Sequence, residues 1–187
     1  MKDRIGGKPA PERLRVVQAF LNTATSGRED LASPDCLHEW LADHELLEAD
    51  ATVSAADLRQ AISVRHALSR LAIARQEGRL DSDAVDVLNR AARSAQMSVS
   101  FGPRGRARIE SLAPAVDGAL GKIIAIVLDA MADGTWDRFK ICRDPGCSWA
   151  FYDRSKNHSG TWCNIASCGN IAKARTYRAR HGNKAAS

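Results

Sequence analysis

Four of the five cysteines of this chain fall between Cys142 and Cys168, and they fall in pairs. The pattern is Cys142-x4-Cys147, fifteen residues, then Cys163-x4-Cys168. Two close pairs joined by a short loop can bring four thiolates to one tetrahedral Zn²⁺. The residues between the first two suit this. In Asp144-Pro145-Gly146-Cys147, proline presets φ and glycine supplies a positive φ, which makes a tight turn. Gly169 frees the backbone beside Cys168. A closed four-sulfur site has no open coordination position, so the metal is structural rather than catalytic. Removing it is expected to unfold the chain from about Cys142 onward. Two disulfides would need an oxidising compartment, and the polar start Met1-Lys2-Asp3-Arg4-Ile5-Gly6-Gly7 carries no apolar export segment. His158 lies between the pairs. With four sulfurs at hand it reads as a loop histidine. The fifth cysteine, Cys36, reads as a small core residue.

Charge is distributed unevenly. The net value is +5, but residues 137–187 carry ten Lys/Arg against three Asp/Glu, and the rest of the chain is at −2. A basic segment on a near-neutral body is the footprint of a polyanion-binding module, or else a solvated tail. Zinc and basic charge together favour DNA. No apolar run reaches the ~18 residues of a membrane span, and thiolate ligands imply a reducing cytoplasm. A chain of 187 residues can hold one good core and a small satellite.

Before the cysteines the pattern is helical. Leu14, Val17, Leu21 and Ala24 make one stripe. A polar loop through Ser26-Gly27-Arg28 follows, and Ser33-Pro34 starts a second helix with Leu37, Trp40, Leu41 and Leu47. Ser54 and Asp57 form a capping-box start for a long helix that ends near Gly78. Arg65 falls inside the apolar arc of that helix. A guanidinium there needs a buried partner or an anionic ligand. Ser82 opens a fourth helix with Val85, Leu88, Ala92 and Ala95 inward and Asn89 at the edge of the stripe. Residues 97–101 and 106–112 read as a hairpin. A nearly all-apolar helix from about Pro114 to Gly134 reads as the centre of the bundle. Trp149, Phe151, Tyr152 and Trp162 read as a small core over the metal.

These residues resemble a family. Cys142-Arg-Asp-Pro-Gly-Cys147, Phe151-Tyr-Asp153-Arg-Ser155, Trp162-Cys163, Cys168-Gly-Asn170 and Lys173-Ala-Arg175 are similar to the CGNR zinc-finger proteins of bacteria. Those proteins carry a helical N-terminal domain, called ABATE, and are regarded as stress-induced transcription regulators. Leu21-Asn22-Thr23, Arg65-x-x-Leu68 and Leu88-Asn89 carry the looser N-terminal resemblance. In this chain Ile171 stands in place of the motif arginine, Gly160-Thr161 in place of two arginines, and Ile165 in place of methionine.

The expected architecture is mainly α: a helical domain with a β-hairpin over residues 11–136, then a zinc module over 137–182 that ends in a helix. Cys142, Cys147, Cys163 and Cys168 are the expected ligands. Arg154, Lys156, Lys173, Arg175, Arg178 and Arg180 are the expected DNA contacts. The resemblance implies that the helical domain senses a small molecule or a partner, with Asn22, Arg65 and Asn89 as the ligand residues. A homodimer is expected because two half-sites multiply a modest affinity, although no heptad marks the contact. The alternative is a zinc-stapled protein-interaction module. No Ser-His-Asp grouping, phosphate loop or HExxH helix supports an enzyme.

Overall fold

The computed structural model describes residues 9–182. In chain order it contains α1 (Leu14–Leu21), β1 (Ala24–Thr25), β2 (Arg28–Glu29), α2 (Pro34–Asp43), α3 (Ala55–Glu77) and α4 (Ser82–Ser94). There follow β3 (Met97–Phe101), β4 (Ala107–Ser111), α5 (Ala115–Ala132), β5 (Phe139–Ile141), β6 (Ala150–Tyr152) and α6 (Asn170–Gly182). The strands pair into three antiparallel hairpins, β1–β2, β3–β4 and β5–β6. The fold is therefore mainly α, as the periodicity predicts.

The helix boundaries follow from local chemistry. The Ser33 hydroxyl accepts from the Cys36 amide and Pro34 occupies the first turn of α2. Ser54 and Asp57 satisfy each other's backbone amides in a capping box at the start of α3. Gly78, at φ +64°, closes the same helix in the left-handed conformation. Val116, Leu120, Ile123, Ile124, Ile126 and Val127 are all buried on α5, so this helix has almost no polar face and sits in the core. A Cβ at Gly121 would stand 2.5 Å from the Ser111 side chain, so glycine is what lets β4 run close over α5.

Four local expectations are corrected. On α4 the inward stripe is Ala84, Leu88, Ala91 and Ala95, while Val85 is 40% exposed and Asn89 lies outside. Small alanines set against α3 allow the closer approach, and the bulkier valine turns out. Ala24 leaves the α1 stripe for β1, and Leu47 lies beyond the end of α2. The polar loop at 26–28 is in fact the tip of a hairpin, with Gly27 at φ +82°.

That hairpin supplies the partner of Arg65. The guanidinium is 1% exposed and donates twice to Glu29, each time at 2.6 Å, and once to the Thr23 hydroxyl at 2.9 Å. The charge inside the apolar arc is thus an internal ion pair. The main core also continues past the helical segment. Trp136, Phe139, Ile141, Ala150 and Tyr152 belong to the same buried cluster as α1, α3 and α5. Tyr152, expected over the metal, faces this core instead.

Glu29→Ala would strand a buried guanidinium, whereas Arg65→Met leaves a carboxylate that can turn to water. Glu29→Ala should therefore be the costlier change, by chemical denaturation about 3 kcal/mol or more. The hydrogen bonds from Arg65 hold the Glu29 carboxyl below its ordinary 4.5. The contribution of the pair is then full above that value and is lost as pH falls beneath it. A stability curve of the parent and of Arg65→Met across acid pH should converge toward the acid end.

Candidate metal centre and nucleic-acid interface

The β5–β6 hairpin pairs Phe139 with Tyr152, Lys140 with Phe151 and Ile141 with Ala150. Strand alternation gives it two faces. Phe139, Ile141, Ala150 and Tyr152 face the helical core, while Phe151 joins Cys142 and Cys168 in a second, smaller cluster. Cys147, Cys163, Trp149 and Trp162 pack against that cluster. The metal-side core is thus Phe151 with the two tryptophans.

Both edges of the hairpin are closed by side chains of the helical body. The Asn22 carboxamide accepts from the Ala150 amide at 2.7 Å and donates to the Ala150 carbonyl at 3.0 Å. On the opposite edge Gln76 accepts from the Ile141 amide at 2.7 Å and donates to the Ile141 carbonyl at 3.1 Å. Each amide does what a third strand would do for an unpaired edge. Gln18 adds a bond to the Ala150 carbonyl at 3.1 Å, and Arg75 donates to the carbonyls of Asp137 and Phe139.

A buried ion pair fixes the loop that leaves β6. Lys140 meets Asp153 at 2.7 Å and also donates to the carbonyls of His158 and Gly160. Asp153 accepts from the amides of Ser155 and Gly160. Burial alone would raise the Asp153 carboxyl, but the ammonium and these amides hold it well below the carboxylate range. A Cβ at residue 160 would stand 2.7 Å from that carboxylate, so Gly160 gives the loop its close turn. The sequence signal for this pair was a lysine inside the apolar run of β5, which was missed.

The four sulfurs of Cys142, Cys147, Cys163 and Cys168 lie within 4.8 Å of one another. Cys147 to Cys163 is 3.6 Å and Cys163 to Cys168 is 3.7 Å. A tetrahedron of sulfurs about 2.3 Å from zinc has edges of about 3.8 Å, whereas a disulfide requires about 2.0 Å. The cluster therefore fits zinc and excludes disulfides. The Pro145-Gly146 turn returns the chain, with the Cys147 amide bonded to the Asp144 carbonyl at 2.9 Å, but Gly146 does not take the expected positive φ; Ser148 takes one instead, at 53°. Of the second pair, Cys168 sits on a π-helical turn, Ile165–Gly169, capped by Asn164, and Cys163 immediately precedes that cap. Trp162 lies over Gly169, where a Cβ would stand 3.3 Å from its ring. His158 is on an exposed loop outside the cluster, and Cys36, expected in the core, is only half-buried on α2 and does not belong to the cluster.

The expected DNA contacts do not behave alike. Lys156, Lys173 and Arg178 are exposed, and Arg154 is exposed with one bond to the Pro9 carbonyl. Arg175 is already engaged. It meets Asp144 at 3.0 Å, and that carboxylate is 6% exposed in the metal-side turn. The Gly146 amide and Arg175 together hold the Asp144 carboxyl below its ordinary range. This clip ties α6 to the first cysteine pair. Ile171 is 44% exposed, so it does not fill the metal-side core. The Arg180 side chain lies outside the described residues.

The expected ligand residues lie in separate settings. Asn22 and Arg65 spend their polar atoms on the hairpin edge and on Glu29, and Asn89 is exposed on α4. None of the three lines either of two clefts, of about 540 and 400 Å³, that lie where α3 meets the metal-side loops, both touching Gln76 and Arg143. No described helix is long and apolar enough to cross a membrane.

Comparison with known families agrees with this geometry. Residues 14–134 match the ABATE family, described as "Putative stress-induced transcription regulator". Residues 138–181 match the CGNR zinc finger. Neither description is that of an enzyme. A comparison with curated proteins returned no match.

Burial pushes the Cys147 thiol up to about 11, and burial with neighbouring sulfurs pushes Cys163 higher still. Cys147 and Cys163 are then protonated at neutral pH in the metal-free protein, and zinc must displace those protons. Zinc added to reduced, metal-free protein should release protons, and the apparent affinity should rise between about pH 6 and pH 8. Competition against a chromophoric chelator measures this. An affinity that stays flat with pH would contradict it.

Proposed function

This chain belongs to the ABATE family and carries a CGNR zinc finger, and we propose that it is a zinc-dependent, DNA-binding regulator of transcription. One observation carries the reading. From Arg154 to Ser187 the sequence contains seven Lys/Arg and no Asp or Glu. Arg154, Lys156, Lys173 and Arg178 from this stretch are exposed. Phosphate is the ligand that such a surface suits, and neutralising it releases counterions. Cys142, Cys147, Cys163 and Cys168 would hold the zinc, whose chemistry here is that of a staple. Arg175 acts on the reading indirectly, by fixing α6 against the turn at Asp144. Base edges would be met by the outward residues of α6. The reading has no catalytic step and places the protein in a reducing bacterial cytoplasm, acting as a dimer on paired half-sites.

Any effector of the helical body must reach the zinc finger through the joint at Asn22 and Gln76, because these side chains hold both edges of the hairpin. Protein docking is the second reading, favoured by the exposure of Ile165 and Tyr177 at 70% and 64%. Salt separates the two.

Duplex DNA titrations at several salt concentrations should give a steep slope for the parent. Lys173→Ala and Arg178→Ala should each flatten it by ~0.9, and Ile171→Arg should steepen it by ~0.9. Ile171 is partly solvated, so the arginine needs no repacking. Slopes equal to the parent's in all three variants would give first place to the protein-interaction reading.

A further inference from the structure

We propose that two copies of this chain join through β4, antiparallel and with Ile109 on the two-fold axis, so that two β3–β4 hairpins become one four-stranded sheet. The pairing gives a location to the dimeric reading above but does not depend on DNA contact.

The hairpin stands clear of the core toward its tip. Met97 packs against the core, but Val99 is 61% exposed and Phe101 is 74% exposed. Met97, Val99, Phe101, Ala107, Ile109 and Ser111 share one face by the register of the strands. The outer edge of β4 is open. At the hairpin end the Gly102 amide donates to the Arg106 carbonyl at 2.9 Å, which makes this the hydrogen-bonded kind of pair. Alternation then turns the backbone groups of Arg108 and Glu110 toward β3 and those of Ala107 and Ile109 outward. Among the described residues those outward groups have no backbone partner.

The occupant is specified by charge. Arg108 and Glu110 are exposed on either side of Ile109. Inside the hairpin they face only Ser100 and Ser98, and among the described residues neither is in a salt bridge. A second β4 centred on Ile109 sets each Arg108 opposite the Glu110 of the other copy. It also pairs the two outward-facing Ile109 backbones and sets Ala107 against Ser111. Moving the axis by one residue puts Arg108 on Arg108 or Glu110 on Glu110. Moving it two residues back puts Arg106 opposite Arg108. The Ile109 register alone among these is free of like-charge pairs, and it satisfies both charges twice. β3 also has an open edge, but its Met-Ser-Val-Ser-Phe sequence selects no register by charge.

Sedimentation velocity of the zinc-loaded full-length protein, without DNA, tests the seam. The parent should reach twice the 20.3 kDa of one chain as concentration rises. Arg108→Glu and Glu110→Arg should each weaken self-association about tenfold or more, because attraction becomes repulsion at two symmetric pairs. An equimolar mixture of these two variants should recover the parent's affinity, since every facing pair is then of opposite charge. The double variant Arg108→Glu/Glu110→Arg should recover it as well. Ile109→Pro should be monomeric, with parent-like zinc content and circular dichroism as the folding control. A parent that stays monomeric overturns the proposal, as does a dimer indifferent to both single charge changes. A dimer lost in Val99→Lys but unmoved by the charge variants would place the seam on β3 and equally overturn it.

Discussion

Two side-chain carboxamides hold the zinc-bearing hairpin of this molecule in place. A two-stranded sheet has two open edges, and a short one is not stable in isolation. In β5–β6 those edges are closed by Asn22 from the end of α1 and Gln76 from the end of α3. The apolar face of the hairpin then completes the core, and its other face begins the metal-side cluster. The zinc finger is therefore not a bead beside the helical body. Its two strands are set by contacts that the body makes with backbone atoms, which depend little on what side chains the hairpin carries.

Electrostatics divides the same segment into two zones. Around the metal the charges are internal and paired: Lys140 with Asp153, and Arg175 with Asp144. These fix the loop and the helix that frame the cysteines. Beyond Asp153 carboxylates cease while cations continue, and several of these face solvent. Four thiolates outweigh the two positive charges of zinc, so the centre itself attracts no phosphate. Contact with an anionic partner must come from the outlying cations, with Arg175 as an anchor rather than a contact.

Much of this was legible in the sequence because the signals are local. The cysteine spacing, the Pro145-Gly146 turn, the Ser54–Asp57 box and the apolar run of α5 each act over a few residues, and each stands where the sequence puts it. The failures are long-range. Arg65 announced that it needed a partner, but nothing local named Glu29, which a hairpin carries in from 36 residues away. Asn22 was visible as a polar residue at a helix end, while its partner lies 128 residues on. On α4 the alanines give no size contrast from which to phase the stripe, so Leu88 and Ala95 are placed correctly while the other two positions fall one residue off. The family matches divide the chain where the sequence reading does, between residues 134 and 138, yet the packed core crosses that boundary. Cysteine spacing marks the metal site, but strand alternation in Phe139-Lys-Ile141 and Ala150-Phe-Tyr152 assigns half of the hairpin to the other core.

The ownership of that hairpin is decided by native-state hydrogen exchange at two amides, Ile141 and Ala150, before and after zinc is chelated from the reduced protein. Both amides bond to side chains of the helical body and not to the metal-side cluster. They should stay protected without zinc, like the amides of α5, while those of α6 come to exchange at the rate of an open chain. Loss of protection at Ala150 and Ile141 together with α6 would contradict the account. It would mean that the metal, and not the carboxamides, holds the hairpin in place.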